Sequence, residues 1–339
     1  MNNFCTIFDS NYLSRGLAMY NSLKAYCADF HLYIVCLDQN LYELLNSNNY
    51  SNISTINLPQ IESKYPEILV AKGNRTYVEY IFTLSPIIAL YVLEEYSKVD
   101  MITTLDADLF FFSDPTVLFR DKDAFSIAIT PHNFKDSLKK HAKYGKYNVS
   151  FQSFKRDEIG LACLREWQNN CLKWCYDKYE DNKFADQKYL DSWIKTYPKV
   201  KEFNSGSGIA PWNICNKDIS IKDGEKIYIK NKPLIYFHFH GLRNDSEKLF
   251  SLGLIDYRVI LRSKIIKYIY SKYIHELSEI QKSIKTNHIT RKTHPKLGRI
   301  VYLVFLADLY YYKNGKMVRF PNLNIVRCIY SFIKSIFFK

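Results

Sequence analysis

The stretch TTLDADLFFFSDP, residues 103–115, sets two carboxylates one residue apart between two apolar runs. The run before it, DMITTL (residues 100–105), has the apolar and β-branched content of a buried strand, and LFFF after it begins another apolar segment. Acids at such a place are unfavourable unless each finds a partner. Two carboxylates at i and i+2, at a strand end followed by a turn, can both give an oxygen to one hard divalent ion. A DxD triplet on its own reads equally well as an acidic turn, so the surrounding chain has to decide.

Upstream, FCTIF (residues 4–8) reads as a short buried strand. After it Leu13, Leu17, Tyr20, Leu23 and Cys27 recur at spacings of three and four, the period of a helix. HLYIVCL (residues 31–37) is a second strand, and YVEYIFTLSPIIALYVLEEY (residues 77–96) is helical, with Pro86 marking a kink or a boundary between two helices. Strands alternating with helices predict an α/β fold: a Rossmann-like mixed, mostly parallel sheet with helices on both faces. In such sheets ligands bind outside the carboxyl ends of the strands, where Asp106 and Asp108 fall. Downstream, AFSIAIT (124–130), NVSFQSF (148–154) and PLIYFHF (233–239) read as strands, and residues 157–176 as a helix.

The chain has 339 residues, 47% of them hydrophobic, enough for one large core domain and an appendage. Its formal charge of +13 is uneven: 17 of the 47 Lys and Arg, and 3 of the 34 Asp and Glu, follow residue 257. The first three quarters are therefore nearly neutral, which argues against a main domain that grips a polyanion. The same change of character divides the chain into a core domain, residues 1–257, and a basic helical appendage, residues 258–339. Eight cysteines without a CxxC pair read as reduced core thiols, Cys171 and Cys175 sharing one helix face. The opening MNNFCTIFDS lacks the basic and apolar regions of a secretory leader, so a cytoplasmic location is expected. The apolar run from Ile300 to Ala307 is far shorter than the roughly 20 residues of a spanning helix.

With the acid pair in this frame, the chain resembles the GT-A glycosyltransferases, in particular the group around glycosyltransferase family 8, whose metal motif is a hydrophobic strand followed by DxD. Four further segments agree in order: YNVSF (147–151) with that family's FNxG, FADQKYLD (184–191) with its DQ helix, GSGIAPWNI (206–214) with an Asn-containing stretch of related nucleotide-diphospho-sugar transferases, and HFHG (238–241) with HFxG. The resemblance spans roughly residues 3–245. It implies a GT-A fold, a nucleotide-diphosphate sugar donor, and Mn²⁺ or Mg²⁺ as cofactor, held by Asp106, Asp108 and His238. His240 competes for the third ligand, because strand alternation puts it on the same face as His238. Imidazole beside two carboxylates suits Mn²⁺ and tolerates Mg²⁺.

The resemblance also implies roles around the metal. Gln187 matches the family's glutamine near the anomeric carbon; a neutral amide is a poor nucleophile, so departure and attack on one face, with retention, are expected. Asp186 would contact the donor sugar. If Asp186 or Asp191 instead served as general base toward the acceptor, inversion would follow. Asp9 would accept from base or ribose and Tyr12 would stack on the base, although Asp9-Ser10 also reads as a helix cap. Lys72 and Arg75 are candidates for the diphosphate or plain loop residues. Asn148 would meet a sugar hydroxyl. Two departures stand out: Ser150 replaces the family's glycine, and Arg243 falls one position short of the lysine in its longer HFxGxxKPW pattern.

In the basic tail, KIIKYIYSKYIHEL (264–277) and NIVRCIYSFIKSIFFK (324–339) mix aromatic and aliphatic residues with Lys and Arg. A basic amphipathic helix of this kind fits an anionic bilayer surface, though it fits packing on the core as well. No nucleic-acid module is present. The sequence therefore predicts a metal-dependent glycosyltransferase, peripheral on the inner face of the cytoplasmic membrane, acting on a cell-surface glycan or lipid-linked acceptor. The other class is a nucleotide-sugar-binding scaffold without catalysis. A DxDx(T/V) phosphohydrolase is disfavoured by Leu109 after the motif and by its mid-chain position.

Overall fold

A computed structural model describes residues 1–48, 50–203, 206–222, 224–246, 249–259, 264–284, 309–313 and 316–319. The chain divides into two compact units, Met1–His238 and Phe239–Lys339.

The first unit opens with β1 (Asn2–Phe8), α1 (Leu13–Tyr26), β2 (Phe30–Cys36), α2 (Gln39–Ser47), β3 (Ile53–Asn57), α3 (Leu58–Lys64), α4 (Ile68–Asn74) and α5 (Tyr77–Glu95). It continues with β4 (Met101–Leu105), β5 (Leu109–Phe111), β6 (Ile127–Pro131), β7 (Tyr147–Lys155), α6 (Glu158–Lys173), α7 (Trp193–Thr196) and β8 (Val200–Glu202), then β9 (Ile219–Lys222), β10 (Lys226–Ile229), β11 (Lys232–Pro233) and β12 (Tyr236–His238). Seven strands form the main sheet in the order β3-β2-β1-β4-β7-β6-β8. Only β7 runs antiparallel to its neighbours; β1, β2, β3 and β4 pair in parallel, as do β6 and β8. This is the mixed, mostly parallel sheet expected from the alternation of strands and helices.

Strand alternation divides the core between the two faces. Cys5, Tyr33, Val35, Ile102, Ile127 and Phe154 pack on one face with α5, α6 and Trp193. Phe4, Phe119, Phe151 and Phe203 meet on the other, where the Phe119 and Phe151 rings stack 6.2 Å apart and Tyr236 stacks on Phe151 at 4.9 Å. α5 starts at a capping box: the Thr76 side chain accepts from Glu79 N–H, and the Glu79 carboxylate accepts from Thr76 N–H. It is long and apolar enough to cross a membrane by length and composition, and most of that apolar stretch is buried in the core. Pro86 does not divide it; one helix runs through. The bonds lost to a proline are local, whereas burial on both sides acts along the whole helix.

The second unit comprises β13 (Arg243–Ser246), β14 (Leu249–Ser251), α8 (Lys264–Ile284), β15 (Leu309–Lys313) and β16 (Lys316–Arg319), with the four strands in one antiparallel sheet. The sequence places a change of character after residue 257; the compact units divide after His238, and β14, with β13 beside it, pairs with β15 from the basic region. The helix expected over 264–277 is present within α8, burying Ile266, Ile269, Tyr270, Tyr273, Ile274 and Leu277 along one side. The amphipathic segment at 324–339 lies outside the described residues.

Candidate active site

The order of the strands creates the site. From β1 the sheet grows through β2 to β3 on one side, and the chain then returns to β4 on the other side of β1. The crevice at the carboxyl ends of a sheet opens where the order reverses in this way. Here the reversal lies between β1 and β4, so the loops holding Asp9 and Asp106–Asp108 flank it.

Residues 106–108 form a turn between β4 and β5. The Asp106 N–H donates to the Ser150 carbonyl at 3.0 Å, and the Leu109 N–H donates back to the Asp106 carbonyl at 3.2 Å. β5 then pairs antiparallel with β12, with Phe111 opposite Tyr236, Phe110 opposite Phe237 and Leu109 opposite His238. This register delivers the distant imidazole beside the acid pair. His238 Nε2 lies 3.0 Å from Asp108 Oδ1 and 3.6 Å from Asp106 Oδ2. One ligand atom from each of the three lies within 4.8 Å of the others. Around one ion at about 2.1 Å from each ligand, three donors would stand roughly 3.0 Å apart in adjacent positions and about 4.2 Å apart in opposite ones, so the set fits a divalent cation with little movement. Because β12 ends at His238, the strand alternation that made His240 equivalent stops there. His240 is exposed in the second unit, its ring 6.0 Å from that of Tyr257.

The electrostatics fit a cation too. Burial pushes the Asp106 carboxyl up to about 6, against the attraction of His238 and with repulsion from Asp108. Burial disfavours a charged His238, yet Asp108 first, and then Asp106, hold its imidazole above the ordinary histidine value. Two crowded acids retaining a proton through an imidazole is the state that a divalent ion replaces. The Trp212 indole meets the His238 ring edge to face at 5.3 Å and donates from Nε1 to the His132 carbonyl at 2.8 Å. The Asn-containing stretch is the brace behind this contact: buried Asn213 donates from Nδ2 to the carbonyls of His132 (2.8 Å) and Gly208 (2.7 Å) and accepts from the Ala210 N–H (3.1 Å).

Two further sequence candidates stand within electrostatic reach of the acid pair. Asp108 and Asp106, behind burial as the largest cause, raise the Tyr12 hydroxyl above its ordinary value. Asp186 is buried and lifted to about 7 by burial, with the Ser85 hydroxyl pulling it down and Asp106 pushing it up. Ser85 Oγ donates to Asp186 Oδ2 at 2.6 Å, and Trp167 Nε1 donates to the Asp186 carbonyl at 2.9 Å. Just before it, Ala185 sits at φ +44°, a left-handed conformation costing about 1–2 kcal/mol in a residue with a Cβ; its N–H is held by the Tyr176 carbonyl at 3.0 Å. Strain of this kind, held by its surroundings, fixes where Asp186 and Gln187 point.

The remaining candidates each have a partner within the chain. Gln187 donates from Nε2 to the Tyr144 carbonyl at 3.0 Å. Asp191 accepts from Lys146 N–H at 2.6 Å and pairs with Lys188 at 2.8 Å. The Asn148 side chain is buried, donating to the Thr130 carbonyl at 3.2 Å and accepting from the Ser150 N–H and hydroxyl, so Ser150 closes this residue in. Lys72 pairs with Glu62 at 2.6 Å. Arg75 donates to the Thr83 hydroxyl and to the Leu172 carbonyl, tying α4 to the end of α6. Arg243 pairs with Asp256 at 3.6 Å in the second unit. Asp9 caps the 3-10 turn Ser10–Tyr12, as its sequence also allows. Sequence reading passed over Ser85, Trp212 and Tyr77, whose hydroxyl donates to Asp9 Oδ2 at 3.0 Å. For Tyr77 a signal existed: the T-x-x-E box at Thr76 places it, and leaves it exposed, at the first helical position.

No protein-family model matches the chain. Among curated proteins it is 33% identical over 278 residues to the uncharacterized protein YfnD of Bacillus subtilis (strain 168), covering 81% of this chain and 88% of that one. It is 29% identical over 248 residues to YfnF of the same organism, covering 71% and 81%. Among solved structures, the galactosyltransferase LgtC, in complex with donor and acceptor sugar analogs, matches at a TM-score of 0.51 and 12% identity over 82% of this chain and 95% of that chain. The likeness shows the fold, which is GT-A.

Proposed function

Because the chain belongs to the family of Bacillus subtilis YfnD and carries the GT-A fold, with two acids and a histidine gathered where its sheet order reverses, we propose that it is a metal-dependent glycosyltransferase. It moves a sugar from a nucleotide-diphosphate donor to a cell-surface glycan or lipid-linked acceptor. The observation that carries this reading is the approach of His238 to Asp106 and Asp108 through the β5–β12 register.

Asp106, Asp108 and His238 would hold Mn²⁺ or Mg²⁺, which supplies positive charge against the negative charge that builds on a departing diphosphate. Asp9 and Tyr12, across the crevice on the β1 loop, take the nucleoside. Asp186, whose carboxyl burial lifts to about 7, donates to or accepts from a hydroxyl of the donor sugar, and Ser85 holds its carboxyl in place. Gln187 has no charge to offer as a nucleophile, which supports transfer with retention. A cavity lined by Pro131, Asn133, Phe134, Lys146, Tyr147 and Glu202 opens at the β6 and β8 end of the same sheet edge. With the strand order running β1, β4, β7, β6, β8, this cavity lies on the other side of the acid pair from Asp9, suited to an acceptor sugar. The basic residues after 257 support attachment to an anionic membrane surface.

The test is incubation of the protein with a panel of nucleotide sugars and Mn²⁺, following release of nucleoside diphosphate. Release from one donor, abolished by chelation, is expected. Tight nucleotide binding with no donor consumed would favour a non-catalytic binding protein instead.

A further inference from the structure

Resting on the reading of the cavity beside β6 and β8 as the acceptor site, we propose that the acceptor is an anionic sugar. Its carboxylate or phosphate is held by Lys139 and Lys146, which line the cavity together.

The charge on this wall runs against its surroundings. Residues 1–257 are close to neutral, yet residues 135–146 hold five lysines and a histidine against the single acid Asp136. The segment folds as the 3-10 helix Asp136–Tyr144, and its cations are used differently along its length. Lys135 is buried, and Lys143 lies over the rings of Tyr144 and Tyr179 at 4.7 and 5.6 Å. Lys139 pairs with Asp136 at 2.8 Å, but both side chains are exposed, so the pair is weak and exchanges readily for another anion. Lys146 is exposed; its backbone N–H is taken by Asp191 at 2.6 Å, while its ammonium has no ion pair among the described residues. Of the residues around the cavity only Glu202 carries the opposite charge, and one of its oxygens accepts the Tyr147 hydroxyl at 2.6 Å.

The rest of the wall suits a sugar. Phe134 contributes a ring held by stacking on His132 at 4.6 Å, a surface for the C–H face of a pyranose, and Asn133 and Glu202 offer hydrogen-bonding groups to its hydroxyls. A neutral sugar needs no more than these, and the two ammonium groups gain a use once the acceptor is charged. The place fits as well. Tyr147, at the start of β7, lies three residues from Ser150, whose carbonyl accepts the Asp106 N–H; at the rise of a strand this is about 10 Å. That span leaves room for a donor sugar between the acid pair and the cavity. The same segment meets Gln187, whose Nε2 donates to the Tyr144 carbonyl, two residues before Lys146.

Glucose, glucuronic acid and glucose 6-phosphate share one ring and differ in the group at C6. Saturation-transfer NMR titration of the three into the full chain, with chelator present so that no metal recruits the phosphate, compares the wild type with the double variant Lys139→Gln, Lys146→Gln. The wild type is expected to bind at least one charged sugar about three- to tenfold more tightly than glucose, less so as salt rises, and the variant to bind all three alike. The tighter of the two charged sugars tells a carboxylate from a phosphate. The basic residues after 257 are the same in both proteins and contribute nothing to the difference. No preference in the wild type, or a preference kept by the variant, overturns the proposal. Consumption of nucleotide sugars with Mn²⁺ by the same wild-type preparation separates the failures: a donor consumed without a charge preference overturns the acceptor class alone, and no donor consumed overturns the transferase reading with it.

Discussion

Asp186 shows most clearly what a single buried group does here. Its carboxyl keeps its proton up to about pH 7, although an exposed aspartate releases it near 3.8. Between those values the folded chain binds more protons at this position than the unfolded chain does, so its contribution to stability falls as pH rises through that window. In the presence of chelator, the melting temperature should therefore decline from pH 5 to pH 8, and Asp186→Asn should flatten that decline, whereas an unchanged slope would remove Asp186 as its source. Ser85→Ala should move the same transition upward, because the hydroxyl that favours the ionised form is gone. Of these residues the sequence announced Asp186, through its DQ motif, but not Ser85, which touches it from 101 residues away. Polarity and order make Arg75 and Asn148 candidates for ligand contact, and the fold supplies both with partners: Arg75 donates to a carbonyl 97 residues on, and Asn148 bonds to Thr130 and Ser150. Which polar groups remain for a ligand depends on which the fold has already used, and a linear pattern does not carry that.

Among the elements, periodicity served well where burial is one-sided or continuous: β1, α1, β2, β4, β7 and α6 lie where the apolar spacing puts them. It failed to choose between His238 and His240, because alternation treats both alike; the choice is made by where β12 stops pairing with β5. The α6–β7 junction offers a direct test of how closely the elements fit. A Cβ on Gly160 would lie 2.2 Å from the Lys155 carbonyl oxygen, a backbone atom that cannot turn aside. Gly160→Ala should destabilise the protein by about 1–3 kcal/mol in denaturant titration, despite alanine's better helix propensity. A stabilised variant would mean that helix and strand are not packed this closely.

On the scale of the whole molecule, a nearly neutral portion is followed by a strongly basic one, a division visible in composition alone. If the basic residues serve a membrane surface, the full chain should co-sediment with vesicles containing phosphatidylserine, more weakly as salt rises, and not with neutral phosphatidylcholine vesicles. Equal sedimentation with both would point away from electrostatic attachment. The central claim concerns the first unit: one divalent ion joins Asp106, Asp108 and His238 to a diphosphate. Direct titration of Mn²⁺, followed by the loss of its free electron-spin signal, tests this in the wild type and in Asp108→Ala, with and without the nucleoside diphosphate that binds best. A single site is expected, tightened by the nucleotide and lost in the variant; undiminished Mn²⁺ binding by Asp108→Ala, with or without nucleotide, would contradict it.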